Sequence, residues 1–115
     1  MRGLWLVLAL AVMPIGSLDA IDARGDYTIY GPGLAPCSQW LREREIKSAL
    51  AMQDQSWVIG YVTAYNRWVS KKTSVVGDQE PRALYAWIED FCTANSKETL
   101  AGAAESLILE MMNRP

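Results

Sequence analysis

The stretch Trp57-Val58-Ile59-Gly60-Tyr61-Val62-Thr63-Ala64-Tyr65-Asn66-Arg67-Trp68-Val69 decides how this chain folds. Trp57, Val58, Tyr61, Val62, Tyr65, Trp68 and Val69 recur at three- and four-residue spacing, which is the period of a helix with one wide apolar face. Strict alternation, the mark of a half-buried strand, is missing. The spacing predicts a long helix, capped by Asp54 or Ser56 and running to about Ser70. Gly60 sits inside this pattern, where it costs about 1 kcal/mol against Ala. Close approach of a neighbouring helix would explain it.

Three further helices follow from the flanking sequence. Pro36 or Ser38 opens a short one from Cys37 to about Lys47, with Trp40 and Leu41 facing inward. Lys71 to Gly77 is polar and reads as a loop. Asp78 is a good N-cap for the next helix, whose first turn holds Glu80 and Pro81, where Pro forfeits no hydrogen bond. Leu84, Trp87, Ile88, Phe91 and Cys92 form its inner face. Asn95 ends it, and Ser96 caps a last helix with Leu100, Ala103, Ala104, Leu107, Ile108 and Met111 inward. Glu105 and Glu110 fall on its outer side. The expected fold is all-α, a small bundle of about four helices.

The N-terminus is of another kind. Arg2 precedes an apolar run from Leu4 to Ile15, broken by Pro14 and Gly16 and followed by small residues. This is the three-part layout of a signal peptide. About twelve apolar residues span only ~18 Å as a helix, short of a bilayer core of ~30 Å. Residues 1–20 are therefore expected to be a signal peptide cut after Ala20, with Ala23 the alternative. No stable membrane insertion is expected after cleavage. Residues 21–36, rich in Gly, Pro, Asp and Tyr, form an irregular N-terminal arm, and residues 37–115 the helical domain. The expected location is periplasmic or secreted.

Two cysteines in an exported chain pair most simply with each other. A Cys37–Cys92 bond would close a loop of about 55 residues, for which loop-closure entropy gives about 4 kcal/mol. It would close the helical domain by tying the arm to the junction of the last two helices.

Composition narrows the function. The full chain of 115 residues carries 11 basic and 13 acidic residues. Losing residues 1–20 removes Arg2 and Asp19, so the net charge stays at −2. The basic residues are scattered rather than gathered into a one-signed patch, which argues against nucleic acid as a partner. There is no histidine, so the usual proton shuttle and commonest metal ligand are both missing. Glu89 and Asp90 are adjacent on a helix and point about a hundred degrees apart, so they cannot share an acid–base site. No catalytic residue, metal ligand or cofactor site is expected, and an enzyme is not. The large aromatics read mainly as core, with Tyr61, Tyr65, Asn66 and Trp68 the residues that could form a binding surface. Asn66 is either a buried hydrogen-bonding hub or a solvated amide.

The layout resembles small secreted proteobacterial proteins of largely unknown role. The residues that carry this are Cys37-Ser38-Gln39-Trp40, the segment Trp57 to Asn66, Ala86-Trp87-Ile88-Glu89-Asp90-Phe91-Cys92 and the Ala-rich last helix. It is also similar in layout to the periplasmic acid-stress chaperones HdeA and HdeB, short helical domains with one disulfide. Through the core Gly60-Tyr61-Val62 it resembles the Rap1a/Tai immunity proteins. The likeness to the chaperones implies a non-enzymatic acid-stress protein, in which carboxylate protonation loosens the bundle and exposes aromatics to misfolding clients. The likeness to the immunity proteins implies a binder that neutralises a periplasmic partner. Either way the partner would be a protein.

Overall fold

Cys37 and Cys92 are bonded and wholly buried, and the architecture gathers around them. The computed structural model describes residues 27–115. The expected signal peptide (residues 1–20) and the first six residues of the arm lie outside the described residues. A 3-10 turn, Gly31–Leu34, precedes four helices: α1 Cys37–Glu45, α2 Ala49–Trp68, α3 Pro81–Ala94 and α4 Leu100–Met112. No strand of more than an isolated bridge forms among the described residues. The fold is all-α.

The disulfide does not act alone. Cys37 N–H donates to Glu98 O at 2.7 Å and Ser38 N–H to Ser96 O at 3.0 Å. Leu100 N–H returns a bond to Ala35 O at 2.9 Å, completing an antiparallel bridge between Pro36 and Thr99. The donors are the open N–H groups at the starts of α1 and α4, which have no partner inside their own helices. Covalent bond and bridge together tie the start of α1 to the end of α3 and the start of α4.

The core is assembled from all four helices. Trp40, Val58, Leu84, Ile88, Leu100 and Leu107 are each at most 2 % exposed. On α4 every residue expected inward is buried, and Ala101 joins them. The alanines let α4 lie close to its neighbours without leaving voids. Trp87 is half-buried, and its indole N–H donates to the Glu110 carboxylate of α4. Its ring stacks on Phe91 with centroids 5.6 Å apart.

Helix boundaries depart from expectation at three starts. The α2 helix begins at Ala49, with Ser48 Oγ accepting from Leu50 N–H at 3.0 Å. Ala49-Leu50-Ala51-Met52-Gln53 are strong helix formers, so α2 extends upstream of Asp54, which is an interior residue and not a cap. The α3 helix starts at Pro81 with Glu80 at the cap position, later than Asp78. The α4 helix is capped by Thr99, whose Oγ1 accepts from Gly102 N–H at 3.0 Å, and not by Ser96. Ser96 is taken by the bridge to Ser38.

The described part of the N-terminal arm, from Tyr27 onward, packs against α2. Gly33 is buried against the indole of Trp57 and the side chain of Ile29, so a Cβ there would clash with both. Trp57 N–H donates to Tyr30 O at 2.7 Å. One tryptophan thus clamps the 3-10 turn onto α2. Replacing Gly33 with Ala should therefore unseat the turn and cost about 1–3 kcal/mol by overpacking, read by urea denaturation. The double variant Cys37→Ala/Cys92→Ala should lose about 2–5 kcal/mol. A loss below about 1 kcal/mol would show the backbone bridge to be sufficient without the bond.

Candidate functional site

The four residues expected to form a binding surface do not converge. Tyr61 is half-buried, and its ring pairs with Trp57 at 5.5 Å. Burial, then the hydrogen bond and charge of Tyr27, then Glu105, hold its hydroxyl well above the ordinary tyrosine value. Tyr65 is half-buried and packs against the core. Asn66 is half-buried and engaged through its oxygen: Oδ1 accepts from Val75 N–H at 2.8 Å. That bond folds the polar loop back, so that Val75 is buried in the core at 8 % exposure. Trp68 alone faces out, 75 % exposed, with the Arg67 guanidinium 4.3 Å over its ring.

Trp68 stands at one end of an open groove of about 600 Å³ between α2 and α3. Ser56, Gly60 and Ala64, small residues four apart on α2, line it, together with Ile59, Thr63 and Arg67. Pro81 and Tyr85 of α3 line the other side. Gly60 is not a helix-packing residue, contrary to expectation. A Cβ built on it meets nothing within 4 Å. The reason lies in the packing order: α2 and α3 make little direct contact, each resting on α1, and α4 also holding both. The slot between them is left open, and Gly60 opens into it.

A second feature was invisible in the sequence. Glu43 of α1 and Asp54 of α2 are both buried, at 4 % and 3 % exposure. Gln39 Nε2 donates to Glu43 Oε1 at 2.8 Å, one helical turn away. Glu43 Oε2 is buried with no partner of normal hydrogen-bond geometry, and Asp54 is the neighbouring acid. Burial, followed by the hydrogen bond and the charge of Glu43, raises Asp54 to about 7. A second carboxylate beside it in low dielectric makes ionisation of Asp54 costly, so Asp54 holds its proton far above its ordinary range. Glu43 had been one charge among scattered ones, because α1 carries acidic and basic residues on all sides. Glu89 and Asp90 are exposed as expected, with Glu89 accepting from Arg44 at 3.2 Å.

Among the described residues no cluster of three or more potential metal ligands forms, and no helix is long and apolar enough to cross a membrane. The chain matches no protein-family description, no curated protein and no solved structure. Its functional reading therefore rests on the groove and the carboxyl pair.

The pair sets a pH dependence. Asp54 binds its proton more tightly in the folded chain, at about 7, than at its ordinary value of 3.8. Its stabilisation is thus complete below roughly pH 4 and lost as pH rises through 7. The melting temperature should be higher at about pH 5 than at about pH 8, and Asp54→Asn should remove most of that slope. Circular-dichroism melts check this, and an unchanged slope in Asp54→Asn would assign it to other groups.

Proposed function

We propose that the chain is a non-enzymatic exported protein that holds a protein partner while itself remaining folded. The observation that carries this reading is the open α2–α3 groove, with Gly60 unopposed and Trp68 three-quarters exposed at its end. A small domain seldom leaves a large aromatic beside an uncovered slot, and tryptophan is the side chain most enriched at the energetic centres of protein interfaces. Export is supported by the signal-like stretch before residue 20 and by the Cys37–Cys92 bond, which reducing compartments do not favour. An immunity-type protein that neutralises one periplasmic partner fits this arrangement.

The buried Asp54 bears on the acid-stress reading, and against its opening step. Opening on acidification needs carboxylates that are ionised and stabilising in the folded state. Asp54 has the opposite sign, favouring the fold as pH drops. An acid-stress protein of this construction would therefore meet clients through its folded surface and not by unravelling.

Two assays separate the readings. Affinity capture from the exported proteins of the source cell at neutral pH should recover one stoichiometric partner, and Trp68→Ala should weaken the complex at least about tenfold, since tryptophans that anchor an interface cost about 2 kcal/mol or more on truncation. Suppression of client aggregation at about pH 3, with helicity retained, would favour the acid-stress reading. Neither a partner nor client protection would defeat both.

A further inference from the structure

The groove between α2 and α3 has the form of an unfilled helix position. Its long wall is a face of α2 on which Met52, Ser56, Gly60, Ala64 and Trp68 recur every fourth residue. The ends of that row are large and exposed, Met52 at 70 % and Trp68 at 75 %, and its middle is small. Met52 and Ser56 border a second depression that continues the first toward the start of α2. The row spans 16 residues, about 24 Å of helix. Rows of residues four apart are the ridges and grooves through which helices pack on one another. A shallow row of small residues admits the ridge of an incoming helix, with Met52 and Trp68 gripping its two ends.

Charge narrows the occupant. Asp54, the one acidic residue of α2, is buried on the opposite side of this row, so the exposed face of α2 carries no carboxylate. Arg67 is the charged residue of the groove lining. Arg82 lies one residue beyond Pro81 at the head of α3, whereas Lys72 lines a separate depression beside Met111 and Arg114. Asp78 and Glu80 offset part of this charge, Glu80 pairing with Arg82 at 3.2 Å. The groove lining therefore carries a cation and no carboxylate in a chain whose net charge is −2. An anionic membrane surface would suit the basic residues and Trp68, but a flat surface cannot reach a concave row of small residues.

We propose that the α2–α3 groove receives an amphipathic helix of a partner protein, apolar on the face that meets Gly60 and acidic along the edge that meets Arg67. The assignment rests on the partner-binding reading above and names the chemistry of what is bound. Recognition is of the helix-in-groove kind, with anchors spaced three and four apart. Electrostatic attraction at Arg67 sets orientation and speeds encounter more than it adds affinity.

Two labelled synthetic helices of about 18 residues test it on the full mature chain. They share one apolar face and differ only in carrying Glu or Lys along its edges. Fluorescence anisotropy at low salt should show the Glu helix binding at least about tenfold more tightly, with the gap closing as salt screens the charges. Arg67→Glu should abolish the preference. Gly60→Leu should weaken binding at least about tenfold while leaving the melting temperature equal or higher, because its side chain enters open space and Leu is the better helix former. Equal or reversed preference, or no binding of either helix at about millimolar concentration, would overturn the proposal. So would a dimer in analytical ultracentrifugation that Gly60→Leu dissolves, which would make the occupant a second copy. Binding to anionic vesicles that Gly60→Leu leaves intact would likewise reassign the face to lipid. If the synthetic helices fail while a stoichiometric natural partner is still recovered, the occupant chemistry falls and the partner-binding reading stands.

Discussion

The start of α1, the end of α3 and the start of α4 are held at one point, by the Cys37–Cys92 bond and by the backbone bridge from Pro36 to Thr99. Everything else in the fold is arranged by what that point leaves free. It fixes the neighbours α1·α3 and α3·α4 directly, and α2 must then bury its apolar stripe against what remains, chiefly α1, α4 and the 3-10 turn. A covalent bond across about 55 residues removes much of the unfolded chain's freedom. The hydrogen bonds beside it satisfy helix-start N–H groups that would otherwise need water. The two effects act on different states of the chain, one by restricting the unfolded ensemble and the other by completing the folded one.

The groove is a consequence of that arrangement. Because α2 and α3 are each held on α1, their facing sides are not pressed together, and the slot between them is left open. Trp68 and Gly60, which look alike in the sequence as members of an apolar helix, have their surroundings decided here. Val58 and Val62 of the same helix go to the core, buried at 0 % and 5 % exposure, while Trp68 goes to the groove. The contact between Gly33 and Trp57 works in the other direction. It closes the upstream side of α2 with the arm and leaves the groove side uncovered.

The buried Glu43–Asp54 pair gives the α1–α2 contact a character unlike the rest of the core. Elsewhere the interior is apolar, and its stability changes little with pH. Here the contact depends on a proton, and the direction of that dependence favours acidic conditions. This contact lies at the other end of α2 from Trp68.

Much of the architecture was legible in the sequence. The three- and four-residue spacing of Leu100, Ala103, Ala104, Leu107, Ile108 and Met111 named the buried face of α4, and two cysteines in one chain named their bond. Caps were less legible, because Asp54, Asp78 and Ser96 have the chemistry of a cap, and Ser48, Glu80 and Thr99 stand where the helices start. Helix period and cysteine pairing are local or combinatorial properties, fixed by the side chains themselves. Which stripe residues are covered, which acid loses its water and which glycine faces a neighbour depend on where other helices lie. That is why Asn66 came to hold Val75, Asp54 came to lie buried beside Glu43, and Gly60 came to open a groove only once the chain was assembled.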